Sequence, residues 1–145
     1  MANKLTIQQV AKATGLSVHA VRYYEKAGLL APIQRASNGH RCYSSEDVVW
    51  LEFLIRLRSS GMSIQQIHLF AELVRHQPAN VQERRLLLEA HRDHVQKSIQ
   101  DLTENLRIIE LKIKHYKHLE FTGESDKNCI FWKAYLEKIS DDKLK

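Results

Sequence analysis

Between Pro78 and Gly123 the chain contains no glycine and no proline. An unbroken stretch of that length reads as one helix of about 40 residues, roughly 60 Å long, opened by Asn80 as a cap with Glu83 three residues later. Along it, Val95, Ile99, Leu102, Leu106, Ile109, Ile113 and Tyr116 recur in an alternating four-three rhythm, the spacing of a coiled-coil seam. A chain of 145 residues has room for one compact domain besides such a helix, and not for two full-sized ones. A helix that long cannot fold back on so small a domain, so its apolar stripe calls for a second copy of the chain.

The segment ahead of it is punctuated quite differently. Thr6 caps a first helix, with Gln9 closing the box, Leu5 and Val10 as the hydrophobic staple and Gly15 at its end. Ser17 caps a second, stapled by Leu16 and Val21 and stopped by Gly28. The turn between them is only a few residues long, which is helix-turn-helix spacing. From Leu29 to Ser44 the helical period disappears. Pro32 and the Asn38-Gly39 pair point to a small two-stranded wing, and Asn-Gly suits a type I′ turn with positive φ at both central residues. A helix follows from about Ser45 to Ser60. Another is capped by Ser63 with Gln66 and stapled by Met62 and Ile67, and it runs to about His76, before Pro78. Beyond Gly123, the residues Cys129, Phe131, Trp132, Tyr135, Leu136 and Ile139 suggest a short amphipathic helix.

Charge separates these parts. Residues 1–60 carry eight Lys/Arg against four Asp/Glu, whereas residues 61–122 have an excess of one and residues 123–145 are balanced. Contact with nucleic acid therefore belongs to the N-terminal third. On the second helix, Val18 and Val21 face the first, which leaves Ser17, His19, Arg22, Tyr23 and Lys26 toward a DNA groove and its phosphates. Of the adjacent tyrosines, Tyr24 is the one expected to be buried. The wing adds Arg35, His40, Arg41 and Tyr43. Arg41 and Tyr43, two apart, share one strand face, and Cys42 is expected on the other, inward one.

Other chemistry is thin. Cys42 and Cys129 form no CxxC pair, so a disulfide framework and a zinc-finger spacing are both excluded. No nucleophile-base-acid set and no phosphate-binding glycine loop occur, and the chain is not expected to be an enzyme. His91-x-x-His94 and His115-x-x-His118 lack a third ligand and read as solvated histidines; no metal and no cofactor is expected. There is no charged-then-apolar leader, and Val48 to Ile55, the longest apolar stretch, is interrupted by Glu52 and too short to span a bilayer. The expectation is a soluble, cytoplasmic protein.

Three runs together resemble the MerR family of transcriptional regulators. They are Arg22-Tyr23-Tyr24-Glu25-Lys26-Ala27-Gly28-Leu29-Leu30, then Arg35-x-x-Asn38-Gly39-His40-Arg41-x-Tyr43, then Leu57-Arg58-Ser59-Ser60-Gly61-Met62-Ser63. The resemblance covers the first half closely and agrees with the position and length of the pairing helix. It implies a mainly α protein: a winged helix-turn-helix DNA-binding domain over residues 1–77, a long antiparallel coiled-coil dimerisation helix over 78–122 and a short C-terminal effector or packing segment over 123–145. It implies a homodimer on an inverted-repeat site in double-stranded DNA, distortion of the promoter spacer and engagement of RNA polymerase, with Arg58 added to the DNA-contacting set. Metal-sensing members carry a cysteine near the start of the long helix and a pair in the loop beyond it, and neither is present here. Members responsive to electrophiles carry a cysteine in the helix after the wing, where this chain has Arg56. Cys129, Phe131 and Trp132 are then the candidate effector residues. A DNA-architectural, excisionase-like factor is the alternative, but it lacks a pairing helix; a coiled-coil adaptor leaves the basic N-terminal third unexplained.

Overall fold

In the computed structural model, which describes residues 4–126, each of five helices starts on a polar side chain that accepts an N–H from its own first turn. They are α1 (Ile7–Thr14), α2 (Val18–Lys26), α3 (Ser45–Ser59), α4 (Ile64–His76) and α5 (Val81–Thr122), with β1 (Gln34–Arg35) and β2 (Arg41–Cys42) between α2 and α3. The Thr6–Gln9 and Ser63–Gln66 boxes are reciprocal as the sequence predicts. A third box stands at Ser44, whose hydroxyl accepts from the Asp47 N–H at 3.1 Å while Asp47 accepts from the Ser44 N–H at 2.8 Å. These contacts satisfy N–H groups that a helix cannot pair internally, which is why the boundaries fall where they do.

The wing differs from the two-residue hairpin that Asn-Gly suggests. Gly39 alone has positive φ, at 80°, and no other residue type does so among the described residues. The loop closes instead through Gly39 N–H to the Ala36 carbonyl (2.9 Å) and Ala36 N–H to the His40 carbonyl (2.8 Å). That makes a three-residue connection with glycine in its left-handed position, and Asn38 uses its side chain to accept the His40 N–H at 3.1 Å. Past β2, Leu5 and Tyr43 exchange both backbone hydrogen bonds, at 2.8 and 2.9 Å. The start of the chain is thereby tied to the root of the wing.

The first of two compact units is Met1–Gln96. Its core is formed by Val10, Val21, Leu29, Leu51, Leu54 and Ile67, each fully buried. Trp50 stacks on Phe70 with 6.0 Å between centroids, and its Nε1 donates to the Leu29 carbonyl at 2.7 Å. Gly28 ends α2 with φ at 74°, a conformation glycine adopts without the strain a side chain would bring. Its carbonyl accepts from Arg75 at 2.8 Å. The first turns of α5 belong to this unit: Leu87 and Leu88 pack against the core, and His91 Nε2 lies 2.7 Å from the Ser60 hydroxyl. The compact unit thus runs past residue 77, the boundary expected for the DNA-binding domain.

The second unit is Lys97–Lys145. No residue of α5 is buried along its 42-residue length. The seam from Ile99 to Tyr116 is exposed throughout, with Leu102 at 67%. Surface pairs such as Arg107–Glu104 at 2.7 Å decorate the helix, and that guanidinium holds the Glu104 carboxyl below the usual carboxylate range. Gly123, with φ at 71°, closes the helix.

Candidate nucleic-acid interface

On α2 the division of faces is the expected one. Val21 and Tyr24 turn inward, while His19, Arg22, Tyr23 and Lys26 are exposed. Ser17, also exposed, spends its oxygen on the helix cap, accepting from the Ala20 N–H at 3.0 Å. Burial pushes the Tyr24 hydroxyl above the ordinary tyrosine value, against the nearby charge of Arg58.

The wing reaches α2 through Glu25. Arg41 Nε lies 2.8 Å from Glu25 Oε2, both side chains being about a quarter exposed, and the carboxylate raises the guanidinium further above its usual value. Tyr43 donates its hydroxyl to the same carboxylate at 3.2 Å. It is 1% exposed, and burial, followed by the charge of Glu25, pushes its hydroxyl up to about 12. Two sequence-based expectations are corrected here. Arg41 and Tyr43 do share a face, but that face looks onto α2, and Tyr43 is core rather than a group presented to DNA. Cys42, half-buried, takes the opposite face and is not the inward residue of the wing. Glu25 holds this site together, and its role has no signal in sequence spacing.

Arg22, Arg35, His40 and Arg41 converge. Together with Thr6, Ile7 and Gln8 they line a cleft of about 390 Å³ between α2, the wing and the start of α1. Arg35 also braces the wing tip, donating to the Gly39 carbonyl at 3.0 Å. No carboxylate lines the cleft, and the N-terminus of α1 adds the partial positive charge of its unpaired N–H groups. Two or more guanidiniums on a concave surface beside a helix N-terminus are suited to phosphodiester oxygens, which accept charge-assisted hydrogen bonds. Arg58, expected among the phosphate contacts, donates to the Met62 carbonyl at 3.2 Å and so closes the end of α3. His19, Tyr23 and Lys26 lie on the exposed face of α2 without lining the cleft.

The remaining candidates are elsewhere. His91 and His94 stack with 6.3 Å between centroids, and His115 pairs with Asp126 at 3.1 Å. Among the described residues, no three histidine, cysteine or acidic side chains are grouped to hold a metal ion, and no helix is long and apolar enough to cross a membrane. Cys129, Phe131 and Trp132 lie outside the described residues.

Comparison with known proteins converges on this same half of the chain. Residues 5–73 match the family described as MerR HTH family regulatory protein, and residues 48–110 match the one described as MerR, DNA binding. The transcriptional regulator AdhR of Bacillus subtilis is 35% identical over 91 residues, which cover 63% of this chain and 65% of that relative. An uncharacterized HTH-type transcriptional regulator of Haemophilus influenzae is 31% identical over 118 residues, covering 81% of this chain and 87% of the relative. Among solved structures, HiNmlR, a MerR family regulator lacking the sensor domain and bound to promoter DNA, superposes with a TM-score of 0.78 at 30% identity. That match covers 84% of this chain and 92% of HiNmlR.

Proposed function

The chain belongs to the MerR family of helix-turn-helix regulators, and from that premise we propose that it works as a homodimer on an inverted-repeat promoter site. It is a DNA-binding transcriptional regulator and not an enzyme. The observation that carries the DNA-contacting assignment is the cleft that gathers Arg22, Arg35, His40 and Arg41 beside the start of α1. His19, Tyr23 and Lys26 extend the contact along α2, while Ser17 and Arg58 keep supporting positions at the two helix ends they cap. Phosphate contacts of this kind set register and orientation, and exposed α2 side chains read base edges in the major groove.

Residues 1–77 supply the DNA-binding part, 78–122 the pairing helix and 123–145 a segment for packing or signal response, with Cys129, Phe131 and Trp132 as its candidate effector residues. Two DNA-binding parts fixed at a set separation by paired helices engage two half-sites at once. A promoter spacer of mismatched length must then be bent or untwisted to satisfy both, at a cost of a few kcal/mol repaid by the contacts. RNA polymerase is the partner that reads the distorted promoter. An excisionase-like architectural role has no use for the exposed seam of α5.

The test is selection of bound fragments from the parent genome, followed by footprinting and salt titration. The expected footprint has two-fold symmetry. Arg22→Ala lowers the salt slope by about one unit if it holds a phosphate, or costs roughly 1–3 kcal/mol and relaxes sequence preference if it reads a base. Equal operator affinity for the wild type and the Arg22→Ala/Arg35→Ala double variant overturns the assignment.

A further inference from the structure

The four-three spacing of the seam does not stop at Val95. It continues toward the start of α5 through Arg92, Leu88, Arg85 and Val81, and these residues, with Arg84 and Glu89, line an open groove of about 550 Å³. The pairing face therefore runs from an apolar stripe into a groove whose rim is cationic and whose floor is Val81 and Leu88. Resting on the dimer reading above, we propose that this groove is an interaction surface for a second copy of the chain. Its occupant is the end of the partner's α5, Tyr116 to Thr122, with the acidic loop that follows, in an antiparallel register centred near residue 104.

Charge selects the direction and the register. Parallel, in-register helices place each seam residue against its own copy. Arg85 and Arg92 then each face their like charge in the interface, which is destabilising. Antiparallel pairing with Leu102 level with the partner's Leu106 aligns Ile99 with Ile109 and Val95 with Ile113, so every aliphatic seam position meets another. Continued outward, it brings Arg92 level with the partner's Tyr116, an aromatic face suited to a guanidinium. Leu88 becomes level with the partner's Glu120, whose carboxylate then lies between Arg85 and Arg92. The flank of the seam sets Glu89 beside the partner's Lys117. The partner's Glu124 and Asp126 arrive at the Arg84–Arg85 end. The other layered antiparallel register sets Val95 against the partner's Glu120 and brings Glu89 to the partner's Glu124, a like-charge contact.

Glu89 bonds Arg85 of its own chain at 2.8 Å, so it sits on the groove rim in position for a cation from across the interface. The experiment is a charge swap in the full-length chain. Glu89→Lys and Lys117→Glu each raise the dimer dissociation constant, by roughly tenfold, because each homodimer then holds two like-charged contacts in place of two attractive ones. Mixing the two variants yields heterodimers in preference to either homodimer, and the double variant recovers wild-type affinity. A second measurement removes dependence on one charge pair. In a Cys42→Ser/Cys129→Ser background, a short thiol crosslinker joins an Arg92→Cys chain to a Tyr116→Cys chain when the two are mixed, and joins neither to its own copy. Random exchange in the charge swap, or self-crosslinking of each single variant, overturns the register while leaving the dimer standing. A monomeric wild type in sedimentation sinks the dimer reading itself.

Discussion

The two units of this chain solve the burial problem in opposite ways. Met1–Gln96 hides its large apolar side chains among themselves, from Val10 on α1 to Ile67 on α4, and among the described residues buries no polar or charged residue. From Lys97 to Thr122 the same kinds of side chain, Ile99, Leu102, Leu106, Ile109 and Ile113, stand in a row with half or more of their surface in water. An isolated exposed leucine means little, but a continuous stripe of them marks an interaction surface. The first unit is complete as a fold and unfinished only where it meets DNA. The second is unfinished as a fold until another copy covers it.

The sharpest way to break that contrast is to charge the stripe. Leu102→Asp with Ile109→Asp puts four carboxylates into the proposed interface of each dimer, and burying an unpaired charge costs several kcal/mol apiece. The dissociation constant is expected to rise by more than about a thousandfold, giving a monomer in sedimentation whose N-terminal unit keeps its near-ultraviolet circular dichroism. An unchanged dimer places the pairing surface elsewhere.

A core truncation gives the complementary result. Leu54 is fully buried on α3, and Leu54→Ala is expected to cost about 2–5 kcal/mol, lowering the melting temperature equally at all protein concentrations. Leu106→Ala, on the stripe, is expected to lower it more at low concentration than at high, because its loss is a loss of association. Identical concentration dependence for both variants erases the distinction between the units.

Inside the DNA-facing site the same contrast separates Arg22 from Tyr43. Arg22→Ala alters the salt dependence of binding and leaves melting nearly untouched. Tyr43→Phe removes a buried hydroxyl bonded to Glu25, costs about 1 kcal/mol of stability and leaves the salt slope alone. Alkali provides the check. The Tyr43 hydroxyl is raised to about 12 in the fold from its ordinary 10, so its contribution is fully present below pH 10 and is lost as pH climbs toward 12. Denaturant midpoints across that window are expected to fall more steeply for wild type than for Tyr43→Phe.

What the sequence made legible, and what it did not, follows the range of the interactions. The caps at Thr6, Ser17, Ser63 and Asn80 involve residues three apart, and the helices begin at them as expected; the Ser44–Asp47 box obeys the same rule and was readable too. The burial of Tyr24 follows from its place beside Val21 on one helix face. The burial of Tyr43 does not, because it depends on pairing with Leu5 at the far end of the domain and on a carboxylate 18 residues away. Arg75 reaching the Gly28 carbonyl spans 47 residues and is equally silent in any local pattern. Asn38-Gly39 signals a turn correctly, but the choice between a two-residue and a three-residue loop is made by which strand positions pair, Arg35 with Arg41. Of the DNA-facing set, exposure on α2 was legible from period alone, whereas the convergence of Arg22 with Arg35 is a product of the fold.

The smallest expected effect lies where α5 meets the rest of its own unit. His91 Nε2 is 2.7 Å from the Ser60 hydroxyl, and the His94 ring stacks beside it. Burial, and after it the charge of a protonated His94, hold the His91 imidazole below the ordinary histidine value. A proton therefore binds His91 more tightly in the unfolded chain than in the folded one, so its neutral form favours the fold above about pH 6.5, and that benefit shrinks as the pH falls below it. His91→Gln keeps a polar group toward Ser60 and removes the titration. Between pH 7.5 and 5.5 the wild type is expected to lose about a degree or two more in melting temperature than the variant, with the other histidines contributing equally to both. The sign decides the matter: a wild type that gains stability relative to His91→Gln on acidification would mean that the charged imidazole is favoured at this joint, and that its neighbours outweigh burial there.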